Sequence, residues 1–162
     1  DHYGAADWRA HRVLVTGDVI QDDSAEAYGR FRDLMLPLKL RVHCVPGNHD
    51  IRDLMKAVCS RPPFSYCAYE EIGDWLLVGI DSCVRGHAGG EVSKEELERL
   101  SDIVVRSPAR YVLVALHHPP SSGRLAALAG RTQLECALVD AEVDERIDED
   151  LCAGFDGGGR GR

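Results

Sequence analysis

The sequence contains no apolar run approaching the roughly 18 residues that span a bilayer, so no membrane partner is expected. Its opening, "DHYGAADWRAHR", lacks the apolar core of a secretory signal and does not read as a signal peptide. Six cysteines (Cys44, Cys59, Cys67, Cys83, Cys136 and Cys152) include no C-x-x-C pair, the close pairing a structural zinc site needs. Without an export signal these thiols are expected to be reduced and the chain cytoplasmic. None lies in a helix-start loop beside a basic group, which leaves a cysteine-based hydrolase little support. Positive charge is also short. Lys and Arg number 19 against 27 Asp and Glu, and a net charge of −8 repels phosphate backbones, excluding a nucleic-acid polymer as the natural partner. A small anionic substrate stays compatible if a metal ion supplies local positive charge. No internal repeat is visible.

What is present fits one globular domain: 162 residues, 44% hydrophobic and 28% charged. Four short runs, "RVLVTG" (12–17), "RVHCVPG" (41–47), "WLLVGID" (75–81) and "RYVLVALHH" (110–118), predict buried strands ended by Gly, Asp or His-Pro. Their continuous apolar character predicts strands covered on both faces. Between them, Ser24 caps a helix over 24–38 with Tyr28, Phe31, Leu34, Met35 and Leu38 at helical spacing. Ser93 and Glu96 form a capping box for a second helix over 93–105. The segment "SRPPFSYCAYEEIGD" (60–74) reads as a loop feeding a short strand in a mixed sheet. Strand and helix alternate, which predicts a layered α/β domain.

The polar residues follow the strands. "VTGD" puts Asp18 past the first, "VPGNHD" puts Asn48, His49 and Asp50 past the second, and "ALHHPP" puts His117 and His118 past the fourth. Ligands of open parallel sheets bind beyond the carboxyl ends of the strands, so these residues converge on one rim. Each piece alone has a plain reading: G-D as a turn, G-N-H-D as an Asx turn, His-Pro as a strand breaker. Together they give an O/N ligand set without thiolate, suited to manganese, iron or zinc.

On these residues, with "VLVTGDVIQDDSAEAYGRFRDLMLPL", "VPGNHD" and "VALHHPP", the chain resembles the calcineurin-like metallophosphoesterases, and among them the bacterial class III cyclic-nucleotide phosphodiesterases. The resemblance runs from about residue 12 to about residue 140. It implies a four-layer α/β/β/α sandwich, a dinuclear metal centre, and hydrolysis of a phosphodiester such as 3',5'-cyclic AMP. By the same resemblance Asp18 bridges the metals, Asn48 and His117 ligate one of them, and His49 contacts phosphate and assists the leaving oxygen. Asp50 would orient His49, and His118 would join in binding substrate.

Two family motifs are missing. No strand ending in D-x-H precedes Gly17, and "DLCAGFDGG" stands where G-H-x-H belongs, with Phe155 and Gly157 in the histidine places. His87 in "RGHAGG" precedes the His-His-Pro-Pro segment and reads as a loop residue. The expectation is therefore an incomplete domain over 1–153, truncated at both ends, followed by a disordered Gly/Arg tail over 154–162. It would keep one weak metal site and an exposed sheet edge. A binding module that retains the fold without turnover is the alternative. The 60–74 segment is a candidate homodimer contact.

Overall fold

The structure, a computed structural model, describes residues 9–21 and 24–119, together with the backbone of 133–136. In chain order the elements are β1 (Arg12–Val15), α1 (Ala25–Met35) with a 3-10 turn at Leu36–Leu38, β2 (Arg41–Cys44), α2 (Arg52–Cys59) and β3 (Phe64–Tyr66). They continue as β4 (Tyr69–Ile72), β5 (Trp75–Gly79), α3 (Lys94–Arg106), β6 (Tyr111–Ala115) and β7 (Gln133–Cys136). The expected tail at 154–162 and Asp1-His2 lie outside the described residues.

The strands form two sheets. The first is parallel throughout, in the order β1-β2-β3; the second runs β4-β5-β6-β7, with only β4 antiparallel to its neighbour. The mixed sheet read from the 60–74 region is present as the second sheet, in which β4 runs antiparallel to β5. That region holds two strands, β3 and β4, which go to different sheets. Among the described residues β1 is an edge strand of the first sheet.

Alternation along each strand explains why the apolar runs are continuous. On β1 and β2, Val13, Val15, Val42 and Cys44 meet Tyr28, Phe31, Met55 and Cys59 of α1 and α2. On β5 and β6, Leu76, Val78, Val112 and Val114 meet Leu97, Leu100, Ile103 and Val104 of α3. The intervening residues, Leu14, Leu77, Leu113 and Ala115, face the opposite sheet together with Val45. Side chains of period two therefore fill both faces, and the layers are helix, sheet, sheet, helix. The sheets approach closely at Gly79, where a Cβ would lie 2.9 Å from Val45 Cγ1.

Ser24 and Ser93 cap α1 and α3 as their positions predict, accepting from the Ala27 and Glu96 amides. The reciprocal half of the predicted capping box does not form, because Glu96 turns its carboxylate to Arg99 at 2.7 Å. Helix α2 was not legible: its N-cap is Ile51, which offers no side-chain acceptor, and it spans only 8 residues.

One ionic cluster ties the sheets at the amino-terminal end of β1 and β2, away from the candidate rim. Glu70 of β4 accepts two hydrogen bonds from Arg12 at 2.8 Å, one from Arg41 at 2.6 Å, and pairs with His43 Nε2 at 2.8 Å. Ser65 Oγ closes the chain on His43 Nδ1 at 3.0 Å. The Arg12 hydrogen bonds first, then His43 and the Arg41 charge, hold the Glu70 carboxyl down at about 2 despite its burial. A depressed carboxylate stabilises the fold above its unfolded pKa and ceases to do so as pH falls through the folded value. Glu70→Gln should cost about 2–3 kcal/mol near neutral pH. The deficit relative to the unaltered chain should close as pH falls from 4.5 towards about 2, a trend read by urea unfolding across that range. A deficit independent of pH would mean that the carboxylate charge is not what joins the sheets.

Candidate metal centre

At the other end of the sheets, chain geometry rather than secondary structure brings the polar residues together. The predicted strands 12–17, 41–47, 75–81 and 110–118 end earlier in the structure, at Val15, Cys44, Gly79 and Ala115. Their last predicted residues belong to the rim loops. After β1 the chain takes left-handed backbone at two successive residues, Gly17 (φ 103°) and Asp18 (φ 54°). Aspartate is among the few side chains that tolerate this region, and strain of this sort gathers at functional sites. Gly17 and Gly47 lie against one another: a Cβ on Gly17 would come within 2.5 Å of the Gly47 amide and 2.8 Å of His117 Nδ1. A Cβ on Gly47 would collide with the Asp18 carboxylate and its backbone amide. Both glycines are therefore required by close approach.

Three side chains meet across this contact. His117 donates from Nδ1 to the Thr16 carbonyl at 2.8 Å. That bond leaves the lone pair of the neutral ring at Nε2, 3.1 Å from Asn48 Oδ1 and 3.5 Å from Asp18 Oδ2. Two acceptor oxygens thus face a nitrogen lone pair with no proton between them. Arranged this way, three side chains from separate loops present donor atoms to one point, as the ligands of a bound metal ion do. A carboxylate, an amide oxygen and an imidazole nitrogen suit a divalent ion of borderline hardness, so the residues fit one metal. Among the described residues no group of three or more His, Cys, Asp or Glu gathers into a richer ligand cluster. The second carboxylate oxygen of Asp18 accepts from the His49 amide at 3.0 Å, which fixes the carboxylate beside the G-N-H-D turn.

The remaining expected residues divide. His49 is exposed at the rim, and its ring makes no hydrogen bond to the described residues. Asp50 makes no hydrogen bond to the His49 ring among the described residues. Its Oδ1 accepts from Val19 N–H at 3.2 Å and Tyr28 O–H at 2.9 Å, and its Oδ2 accepts from Gly47 N–H at 2.9 Å. This carboxylate clamps the loop after β1 to the loop after β2. Buried Tyr28 completes the clamp by accepting from the Ile51 amide at 2.9 Å. Burial, then Asp50, raises the Tyr28 hydroxyl well above the ordinary tyrosine range, so it stays a donor. The sequence offered a signal here, since a tyrosine in an apolar helical stripe needs a partner for its hydroxyl.

His118 is likewise engaged within the fold. Its Nδ1 accepts from the Ser82 hydroxyl at 2.9 Å and its Nε2 donates to the Ala88 carbonyl at 3.0 Å. Its ring also fills the space a Cβ on Gly90 would need. It pins the 82–90 loop beside His117, whose ring it meets edge-on at 4.8 Å. His87 lies exposed in that loop, as its sequence position suggested. Cys83 donates to the Pro46 carbonyl at 3.2 Å, and burial, ahead of Asp81, pushes its thiol up to about 12. Cys67 is raised to about 12 by the same first cause. Neither thiol is a nucleophile at neutral pH.

A helix-sheet-sheet-helix sandwich with oxygen and nitrogen donors at one rim defines a metallophosphoesterase, and the chain belongs to the family described as Calcineurin-like phosphoesterase, whose profile matches residues 3–144. Among curated proteins it is 37% identical over 107 residues to the 3',5'-cyclic adenosine monophosphate phosphodiesterase CpdA of Haemophilus influenzae, covering 65% of this chain and 39% of that protein. The corresponding protein of Vibrio vulnificus is 37% identical over 139 residues, 85% of this chain and 48% of its own length. That of Escherichia coli K12 is 33% identical over 109 residues, 67% and 40% respectively. The chain therefore spans less than half the length of these relatives.

Proposed function

We propose that this chain carries part of the active site of a metal-dependent phosphodiesterase acting on cyclic nucleotides. The observation that supports it most is the convergence of His117 Nε2 with Asn48 Oδ1 and Asp18 Oδ2 at the strand ends. The names of the relatives supply the substrate class, 3',5'-cyclic AMP. In this reading Asp18, Asn48 and His117 hold one divalent ion, manganese, iron or zinc. Such an ion polarises a phosphoryl oxygen and lowers the pKa of water bound to it. A second ion, as in a dinuclear centre, would need ligands beyond those gathered among the described residues.

The chain's own residues do the rest. Thr16 fixes the His117 tautomer so that the Nε2 lone pair faces Asn48 and Asp18, where an ion would be held. Asp50 and Tyr28 lock the two glycine loops at the separation that lets the three donors meet. In this reading the imidazole of His49, exposed and without a hydrogen bond to the described residues, would contact the phosphoryl group and protonate the departing alkoxide. His118 holds the neighbouring loop and acts by positioning. Among the described residues no helix is long and apolar enough to cross a membrane. Cys44, Cys59, Cys67 and Cys83 are free thiols, which suits a reducing compartment, and we place the chain in the cytoplasm.

Hydrolysis of bis-p-nitrophenyl phosphate and of 3',5'-cyclic AMP, assayed with manganese and again after chelation, tests this reading. Metal-dependent turnover is expected. Binding heat for manganese without turnover would favour a module that holds metal and nucleotide but does no chemistry. Absence of both would remove the reading altogether.

A further inference from the structure

Beside Asn48 opens a cleft of about 380 Å³, walled by the turn after β2 and the start of α2 on one side and by Cys83 to Gly86 on the other. Its size matches a site for a small organic group. Its charged lining is mixed, Arg52 and Arg85 against Asp50 and Asp53, and one of the cations is anchored. Arg52, the first residue of α2, donates from one terminal nitrogen to Asp81 Oδ2 at 3.2 Å and to the Cys83 carbonyl at 3.1 Å. Asp81 is fixed in turn, because its other oxygen accepts from the Cys83 amide at 2.9 Å. The remaining guanidinium donors, Nε and the second terminal nitrogen, make no hydrogen bond to the described residues, and the side chain is 39% exposed. The guanidinium is thus held by contacts that use only one of its nitrogens, and the side chain lines both this cleft and the neighbouring one beside Lys56 and Tyr66. Arg85, on the opposite wall, is exposed and has no such anchor among the described residues.

We infer that Arg52 is a specificity-determining residue: it recognises, through hydrogen-bond acceptors, the nucleoside portion of a phosphodiester whose phosphoryl group lies at Asn48. This rests on the function proposed above. Among the described residues the cleft walls contribute no aromatic ring on which a base could stack. Recognition therefore falls to the guanidinium, which can donate to ring nitrogens and hydroxyls or lie against a base. A phosphodiester with an apolar arm gains nothing from those donors.

The test compares 3',5'-cyclic AMP with p-nitrophenyl phenylphosphonate, whose phenyl arm lacks acceptors, in the unaltered chain and in Arg52→Met and Arg52→Lys. The ratio of kcat/KM for the two substrates should fall about tenfold in Arg52→Met, mainly through KM for the nucleotide, the loss expected for hydrogen bonds from a charged donor. Arg52→Lys should recover part of it. In parallel, calorimetry with manganese present reads the affinity for adenosine 5'-monophosphate against that for inorganic phosphate, and this ratio should fall alike. Ratios that stay constant in Arg52→Met would overturn the inference and leave Arg52 as a support for the 81–83 loop. Nucleotide binding without turnover counts against the hydrolytic reading alone, since the affinity ratio still decides Arg52. No nucleotide binding by the unaltered chain overturns both.

Discussion

Replacing Asp18 with asparagine will weaken manganese binding at least about 100-fold, since a direct ligand matters no less than the outer partners whose loss costs about 10–100-fold. Hydrolysis should fall by about a thousandfold or more. Asparagine is the informative substitution for three reasons drawn from the site. It retains an oxygen that can accept from the His49 amide, now 3.0 Å from Oδ1. It tolerates the left-handed backbone at φ 54° as well as aspartate does. It removes the negative charge and turns the oxygen that faces His117, now 3.5 Å from Nε2, into an NH2 that cannot ligate a cation. Thermal stability should therefore change by less than about 1 kcal/mol. Isothermal titration paired with thermal unfolding reads both quantities. An undiminished manganese affinity in Asp18→Asn would show that the carboxylate is not a ligand, whatever its position.

Gly47→Ala should produce the largest loss of stability among single-atom additions at the rim. The new Cβ would overlap the Asp18 carboxylate and amide, and backbone cannot move aside as a flexible side chain can. A cost of about 3 kcal/mol is expected, the upper end of ordinary overpacking, with a fall in Tm of roughly 6–12 °C for a domain of this size. Loop separation would also increase, so manganese affinity should drop with it. Gly29→Ala is the matched control. Gly29 lies within α1, where an added Cβ would meet nothing within 4 Å, and alanine there should stabilise by about 0.5–1 kcal/mol. If Gly47→Ala unfolded at the same temperature as the unaltered chain, the tight seating of the two glycine loops would be wrong.

The legible part of this protein was its punctuation. Short apolar runs broken by Gly17, Gly47 and the His-His-Pro-Pro segment placed the strands and named the rim, because β-strand ends and sharp turns leave strong local signals. Ser24 and Ser93 marked the starts of α1 and α3 for the same reason. What escaped was long-range. Glu70 reads as one more surface charge in "YEE", yet it draws together Arg12, Arg41 and His43 from the other sheet. Asp50 looked like a partner for His49, its neighbour in sequence, but hydrogen-bonds to Val19, Tyr28 and Gly47. His118 looked available beside His117 but is engaged by Ser82 and Ala88, which lie 30 or more residues away. In each case the residue type was informative and the partner was not, since partners are chosen by the packing of two sheets. Helix α2 escaped for a local reason, the absence of a capping side chain at Ile51.

The central claim is that the imidazole of residue 117, the amide of residue 48 and the carboxylate of residue 18 form a cation site. Nitrogen NMR of the histidine rings during a manganese titration examines it most directly, because paramagnetic broadening falls steeply with distance. The Nε2 signal of His117 should vanish at the lowest manganese additions while the His43 signals, held at the far end of the sheets by Glu70 and Ser65, stay sharp. A His117 signal that persists while other histidines broaden would contradict the account.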